Sequence, residues 1–205
     1  LDDDEFLRVL SIVTGTAVDP EFTGIVREQA GFAPSLPAWR SPTAPPSDFR
    51  VAVLGSGMTG IAAGISLADA GFEFDIYEQA DDIGGTWRIN TYPGVAVDTP
   101  SIYYSLSYEL EPSWSKYFPV GDEYQRYLRK VVATYDLERR ISFGTRIESF
   151  TWDHDTDEWI VESVRDGHRQ SRRYRAVITA AGFLNRPKLP DLPGLETFRG
   201  RWLHS

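Results

Sequence analysis

Residues 51–87 read VAVLGSGMTGIAAGISLADAGFEFDIYEQADDIGGTW. The order is an apolar strand, a Gly-x-Gly-x-x-Gly turn, a helix of small residues, a second strand that ends on a carboxylate, and a second glycine pair. In such a unit Gly55 permits the tight turn, Gly57 lets the backbone approach a pyrophosphate, and Gly60 lets the helix pack closely on the strand. The helix N-terminus then faces the phosphates. The stretch predicts a dinucleotide site, and the alternative is a glycine-rich loop without a ligand.

Composition limits the possible classes of function. The chain has 205 residues, 41% of them hydrophobic and 25% charged, which is enough for one sizeable domain. Its net charge of −9 argues against a nucleic-acid partner, because phosphate recognition depends on clustered lysine and arginine. The basic stretch Arg165–Arg175 is the exception, but it lies across a predicted hairpin turn, so a solvated face is favoured. No apolar run approaches the length of a membrane span, so we expect no membrane association.

The absence of cysteine excludes disulfides and a redox dithiol, and it agrees with a cytoplasmic location. Histidine, aspartate and glutamate show no metal-ligand spacing, so no metal site is expected. No Ser-His-Asp arrangement stands out either. The chain begins in the middle of a pattern, LDDDEFLRVLSIV, and we therefore expect its true N-terminus to be missing.

The first part of the chain predicts a helical leader. Residues 1–14 and about 20–30 have helical periodicity, and five prolines between Pro34 and Ser47 indicate a linker. The leader holds no cluster of polar groups suited to chemistry, so we expect it to serve in packing or self-association. The residues expected on one face of its first helix are Phe6, Leu7, Leu10 and Val13.

From Arg50 the strand, helix, strand order predicts a parallel sheet, because such crossovers are right-handed. Residues 84–120 are rich in glycine, proline and aromatic residues and lack periodicity, which indicates a functional excursion. A helix is predicted at about 121–135. The residues of its apolar stripe are Tyr124, Tyr127, Leu128 and Val131.

Three further runs predict strands, at Arg146–Trp152, Glu158–Val164 and Tyr174–Ala180. We expect an antiparallel meander that returns to the parallel sheet. The run AVITAAG is apolar throughout, which is typical of a buried central strand whose end lies against a cofactor.

Several motifs together resemble the Baeyer–Villiger monooxygenases, FAD- and NADPH-dependent members of the flavin-containing monooxygenase superfamily. Phe198, Gly200 and His204 match the first half of that family's fingerprint F-x-G-x-x-x-H-x-x-x-W. The stretch DTPSIYYSLS and the helical leader are most similar to the hydroxyacetophenone monooxygenase branch. The motifs are GSGMTG (55–60), Glu78, GGTW (84–87), YPGVAVDTPSIYYSLS (92–107), AAG (180–182) and PGLETFRGRWLHS (193–205).

The resemblance implies an α/β fold. Residues 49–190 would form the N-terminal portion of a Rossmann-like FAD-binding domain, a parallel sheet with an antiparallel meander in three layers. A helical leader and proline-rich linker (1–48) would precede it, and a linker toward a missing NADP domain (191–205) would follow.

The implied activity is insertion of one oxygen atom of O2 next to a ketone carbonyl, which gives an ester or lactone, with NADPH as reductant. The oxyanion-stabilising arginine and the NADP site would lie outside this sequence. We therefore expect an FAD-binding fragment that is inactive alone unless a second chain supplies the missing half, and a homodimer through the leader is possible. The alternatives are a flavin monooxygenase that oxidises nitrogen or sulfur, a non-catalytic FAD-binding or assembly fragment, and a simple NAD-dependent dehydrogenase.

The motifs also assign roles. Glu78 lies about 20 residues beyond the turn, where a carboxylate binds ribose hydroxyls and repels a 2′-phosphate, so the site favours FAD over NADP; a solvated surface glutamate is the alternative. Gly85 would give close backbone approach and Thr86 a hydroxyl donor, whereas Trp87 could equally be core. By resemblance, Asp98 is the catalytic candidate beside the flavin, although a turn or N-cap role is the alternative.

The remaining roles also come from the resemblance. Tyr104 would approach the flavin, and the Ile147 backbone would contact the adenine. His204 would be a linker residue that takes part in the movement between domains. Ala96 stands where many relatives carry arginine, so the resemblance carries over no charge-balancing role to this position. The complete predicted set of cofactor contacts is Gly55, Gly57, Met58, Thr59, Gly60, Glu78, Gln79, Gly85, Thr86, Trp87, Asp98, Tyr104, Ile147, Ala181 and Gly182.

Overall fold

The computed structural model describes residues 2–33, 44–183, 185 and 187–203. The chain forms two compact units, one of Leu1–Trp39 with Val97–Phe118 and one of Arg40–Ala96 with Pro119–Ser205. We call them the leader unit and the sheet unit. The proposed domain boundaries at residues 48 and 190 stay predictions. Within the described ranges, no helix is both long and apolar enough to cross a bilayer.

The described part of the sheet unit begins with a strand, a helix and a strand, continues with two helices and ends with a run of strands, and two helices belong to the leader unit. The helices are α1 (Asp3–Thr14), α2 (Thr23–Gln29), α3 (Met58–Asp69), α4 (Thr86–Ile89) and α5 (Gly121–Thr134). The strands are β1 (Arg50–Leu54), β2 (Glu73–Tyr77), β3 (Ile141–Ser142), β4 (Thr145–Asp153), β5 (Glu158–Arg165), β6 (His168–Tyr174) and β7 (Ala176–Thr179). Short 3-10 turns occur at Pro20–Phe22, Glu138–Arg140 and Leu195–Thr197.

Four parallel strands form the central sheet in the order β3-β2-β1-β7. Val53 of β1 pairs with Ile76 of β2 and with Ile178 of β7. Because β1 has neighbours on both sides, its apolar residues from Val51 onward are buried. The predicted parallel sheet with a helical crossover between its first two strands is confirmed.

A three-stranded antiparallel sheet forms the meander, in the order β4-β5-β6. The strand that completes this sheet was placed wrongly: it is the basic stretch His168–Tyr174, whereas the predicted run Tyr174–Ala180 mostly forms β7, which returns the chain to the parallel sheet as expected. The hairpin turn lies inside the predicted turn, since Asp166 and Gly167 adopt φ of 51° and 77°, and the third strand begins directly after it instead of at Tyr174. The basic residues therefore lie along a strand, and their exposure agrees with the predicted solvated face.

Strand β7 was expected to be central and buried, and this was also wrong. Among the described strands it lies at one end of the parallel sheet and pairs with β1 alone. Its residues Ala176, Val177 and Ile178 are only half-buried for that reason.

The sheet unit has three layers, because successive residues of β2 point to opposite faces. On one face, Phe74 and Ile76 lie close to Gly64 of α3. On the other face, Tyr77 packs in a buried cluster with Val161 and Tyr174 of the meander. The predicted three-layer α/β fold is confirmed.

Two tyrosines join the parallel sheet to the meander. The hydroxyls of Tyr77 and Tyr174 lie 2.6 Å apart, and the Tyr174 hydroxyl donates to the Asp75 carboxylate at 2.6 Å. Burial raises the pKa of both phenols above the ordinary tyrosine value. Arg50 lies 2.8 Å from the same carboxylate, so its charge is compensated.

In the leader unit, Asp2 caps α1 by accepting from the Glu5 N–H at 2.8 Å. Phe6 is buried edge-to-face against Phe32, with ring centroids 5.6 Å apart. The expected common face is only partly formed, because Val13 in the last turn of α1 is 78% exposed. In the sheet unit, by contrast, all four predicted stripe residues of α5 are buried, so that prediction is confirmed.

Candidate dinucleotide site

The glycine turn lies at the carboxyl edge of the parallel sheet, and two of its glycines are required by the fold. Gly55 has φ of 106°, and a Cβ there would lie 2.7 Å from the Ala180 carbonyl oxygen. A Cβ on Gly60 would lie 1.9 Å from the Gly55 carbonyl oxygen. Any side chain at either position therefore collides with backbone.

Gly57 is different, because the fold alone does not require glycine there. Its φ of −71° and ψ of −176° are open to any residue, and it is the N-cap of α3. The nearest atom to a Cβ on Gly57 would be the Gly85 Cα at 3.8 Å, an ordinary contact. The absence of a side chain thus leaves space in front of the α3 N-terminus, as a closely approaching phosphate requires.

The second glycine pair packs on the first. The Gly84 N–H donates to the Ser56 carbonyl oxygen at 3.1 Å, and a Cβ on Gly85 would lie 3.3 Å from the Gly57 Cα. Gly84 and Gly85 have φ of 120° and 54°, a conformation that other residues rarely adopt. Thr86 follows, exposed, at the start of α4. The structure therefore brings the two predicted glycine motifs together.

Glu78 lies directly after β2 and is only 7% exposed, so it is not a solvated surface residue. One carboxylate oxygen accepts from the Ser56 N–H at 2.9 Å and the Ser56 hydroxyl at 2.8 Å, and the other accepts from the Ala80 N–H at 2.8 Å. These three bonds fix the carboxylate beside the glycine turn. An ionised carboxylate accepts about four hydrogen bonds, so capacity for a ribose hydroxyl remains.

Trp87 and Met58 both contact α5 through one buried tyrosine. The Trp87 ring lies edge-to-face on Tyr124 with centroids 5.3 Å apart, which supports a packing role for the tryptophan. The Tyr124 hydroxyl donates to the Met58 sulfur at 2.8 Å. Through Tyr124, the α5 helix thus packs against a residue of each glycine motif.

Sequence reasoning missed Ser56 and Tyr124. Ser56 occupies one of the unspecified positions of the Gly-x-Gly-x-x-Gly pattern. The one sequence signal for its hydrogen bonds to Glu78 is that its side chain carries a hydroxyl. Tyr124 was predicted as core, and the pattern contains nothing that specifies a hydrogen bond to a residue 66 positions earlier.

Other predicted contacts lie at or near the same edge. Ala181 adjoins Gly55, since its Cα would lie 3.5 Å from a Cβ there, and Gly182 is exposed with φ of 73°. Thr59 and Gln79 are exposed. Ile147 instead directs its side chain into the core between the sheets, so only its backbone is available for the predicted adenine contact.

Asp98 and Tyr104 belong to the leader unit. Asp98 is exposed, and Tyr104 is half-buried with its N–H donating to the Pro100 carbonyl oxygen at 3.1 Å. Their predicted roles toward the flavin stay predictions. His204 lies outside the described residues, whereas the ring of Phe198 lies over Gly200, where a Cβ would come within 2.3 Å of it. The part of the chain that the structure describes contains no group of three or more acidic or histidine side chains able to hold a metal.

Relatives of this chain are monooxygenases. A Baeyer–Villiger monooxygenase of Streptomyces coelicolor is 39% identical over 157 residues, which are 76% of this chain and 30% of that protein. The FAD-binding monooxygenase tazF of Aspergillus terreus is 35% identical over 176 residues, 82% of this chain and 31% of that protein. The chain thus spans about 30% of the length of these relatives.

Two solved structures illustrate the similarity of fold. The OTEMO complex with FAD and NADP has a TM-score of 0.64 at 30% identity, over 77% of this chain and 30% of that one. The closed crystal structure of cyclohexanone monooxygenase has a TM-score of 0.65 at 34% identity, over 74% of this chain and 29% of that one.

A family model, described as flavin-binding monooxygenase-like, matches residues 48–205, which include both glycine motifs and Glu78. The predicted kinship with Baeyer–Villiger and related flavin monooxygenases is therefore confirmed, while the hydroxyacetophenone branch stays a prediction. The chain belongs to the flavin-binding monooxygenase-like family.

Proposed function

We propose that this chain is the FAD-binding portion of an NADPH- and O2-dependent monooxygenase that inserts oxygen next to a ketone carbonyl. The observation that carries the proposal is the space at Gly57. Glycine occupies this position although φ is −71° and a Cβ would meet nothing closer than 3.8 Å. A ligand that approaches the backbone explains this glycine, whereas a loop without a ligand does not.

The residues present fit FAD. The α3 N-terminus and the Gly57–Gly85 contact offer backbone N–H groups and space to a pyrophosphate. Glu78, held by Ser56 and Ala80, offers a carboxylate to ribose hydroxyls and disfavours a 2′-phosphate. When bound, the flavin supplies the redox and oxygen chemistry of the reaction, and the protein binds and orients it.

Two parts of the proposal reach beyond the sheet unit. Asp98 and Tyr104 are proposed to contact the flavin, and the nicotinamide site and the oxyanion-stabilising arginine are proposed to be supplied by residues outside this sequence. Relatives for which this chain accounts for about 30% of the length support that division. A second chain or a homodimer through the leader are proposed ways to complete the site, and a cytoplasmic location agrees with the lack of cysteine.

The test is the visible spectrum of the purified chain after incubation with FAD and removal of free flavin, followed by NADPH addition without oxygen. We expect bound flavin that NADPH does not reduce. Absence of flavin absorbance would favour a non-catalytic assembly fragment and contradict the proposal. Fast reduction would contradict the division between this chain and a separate nicotinamide site.

A further inference from the structure

We propose that Met58 is a redox-sensitive residue, and that oxidation of its thioether to the sulfoxide lowers the affinity of the glycine turn for its dinucleotide. The inference rests on the proposed function, because it concerns the same site. It assigns to this chain a reversible modification that responds to peroxide.

Met58 combines a reactive atom with a sensitive position. It is the single methionine of the chain, which has no cysteine, so the chain holds one thioether and no thiol. It is the first residue of α3, directly after the Gly57 N-cap, and it is partly exposed. Its backbone therefore belongs to the turn that is proposed to face the ligand, and its side chain, only partly buried, is within reach of a small oxidant.

The Met58 sulfur accepts a hydrogen bond from Tyr124, a tyrosine of α5. Its hydroxyl donates to the Met58 sulfur at 2.8 Å, and the tyrosine itself is fully buried in α5. Its ring is packed against Trp87 at 5.3 Å and Tyr127 at 5.5 Å between centroids. Because the tyrosine is fixed by this packing, any enlargement of the contact moves Met58.

The oxidation needs only hydrogen peroxide as co-reactant. A sulfur lone pair attacks one peroxide oxygen, the S–O bond forms as the O–O bond breaks, and the departing hydroxide takes the proton of the transferred oxygen to leave as water. Sulfur loses two electrons and the peroxide gains them. The flexible apolar side chain becomes polar and larger.

The product does not fit where the thioether lies. A hydrogen bond from a hydroxyl to the sulfoxide oxygen needs about 2.7 Å by itself, and the whole present separation of sulfur and hydroxyl is 2.8 Å. With its oxygen toward Tyr124 the sulfoxide displaces the first residue of α3. With its oxygen turned away, the sulfoxide adds a polar S–O group to the first residue of α3, in the turn that is proposed to face the phosphates. Both outcomes weaken dinucleotide binding.

The experiment treats the chain with hydrogen peroxide, follows addition of one oxygen to Met58 by mass spectrometry of the intact chain and its peptides, and measures FAD affinity by flavin fluorescence. We expect the oxidised chain to bind FAD about tenfold more weakly, as overpacking of a fixed contact typically produces. Treatment with methionine sulfoxide reductases A and B restores the affinity.

Two variants keep the test specific. In Met58→Leu no sulfur is present, so peroxide leaves that variant's own FAD affinity unchanged, whatever its starting value. In Tyr124→Phe the obstructing hydroxyl is gone while the ring remains. Oxidation of Met58 in that variant should therefore cost much less affinity than in the wild type.

Three results would overturn the inference. These are unchanged FAD affinity with Met58 fully oxidised, an equal loss in peroxide-treated Met58→Leu, and a Met58 that stays reduced while free methionine in the same sample is converted. If the untreated chain binds no FAD, the proposed function fails instead. In that case, amide hydrogen exchange of residues 55–60 is compared between the reduced and the sulfoxide form of the chain. Faster exchange in the sulfoxide form supports the inference that oxidation disturbs the glycine turn, and equal rates contradict it.

Discussion

Replacing Gly57 with serine separates what the fold needs from what the ligand needs. Gly57 is the N-cap of α3 in extended geometry, and a Cβ there meets nothing closer than 3.8 Å. Serine is a preferred N-cap, because its hydroxyl accepts a first-turn N–H. We therefore expect the free energy of unfolding of Gly57→Ser to stay level or to rise by a few tenths of a kcal/mol.

The same change should weaken FAD binding. The new hydroxyl occupies the space of the approaching phosphate and takes an N–H that the phosphate would use. Loss of one hydrogen bond to a charged group costs about 1.5–3 kcal/mol, or roughly 10- to 150-fold in dissociation constant.

Urea unfolding and a flavin fluorescence titration measure the two quantities on the same preparation. The control is Gly24→Ser in α2, where a Cβ meets nothing within 4 Å and no dinucleotide motif is present; it should bind FAD as the wild type does. If Gly57→Ser is stably folded and binds FAD as tightly as wild type, the argument from the space at Gly57 is refuted.

Three further predictions concern stability. Glu78→Gln should lower the free energy of unfolding by about 1–3 kcal/mol in urea, because either orientation of the new amide turns its NH2 group toward a backbone N–H; an unchanged midpoint would contradict this. Tyr174→Phe should cost about 1–3 kcal/mol by chemical denaturation, because it removes a buried hydroxyl that bonds both Asp75 and Tyr77, and equal stability would show that these bonds contribute nothing net. Burial raises the pKa of both phenols, so their stabilisation is complete below about pH 10, where unfolded tyrosine ionises, and is lost as pH rises through the folded-state values. Denaturation followed above pH 9 should show stability falling more steeply in wild type than in Tyr174→Phe, and parallel curves would refute that assignment.

The glycine turn and its strands could be predicted because their determinants are local. Gly55 and Gly60 are demanded by contacts with backbone only a few residues away or on the adjoining strand, so the pattern alone carries the geometry. The apolar stripe of α5 could be predicted equally well, since the residues with helical spacing from Tyr124 to Val131 are also the buried ones.

The strands of the meander were harder to predict, because the strand propensity of one segment disagrees with the pairing that it makes in the fold. The strand His168–Tyr174 is almost wholly charged or polar, and only pairing with β5 makes it a strand. Val97–Phe118 could not be assigned to the leader unit from sequence, since it lacks periodicity and its partners lie far away along the chain. The roles of Ser56 and Tyr124 likewise depend on tertiary contacts.

The measurement that tests the central claim most directly is a titration of the wild-type chain with FAD, repeated in the presence of NADP⁺. We predict saturable binding of one FAD per chain that NADP⁺ does not displace. The reason is that the buried Glu78 carboxylate accepts hydrogen bonds from ribose hydroxyls and repels a 2′-phosphate. Absence of saturable FAD binding, or displacement of FAD by NADP⁺ at comparable concentration, would contradict the account.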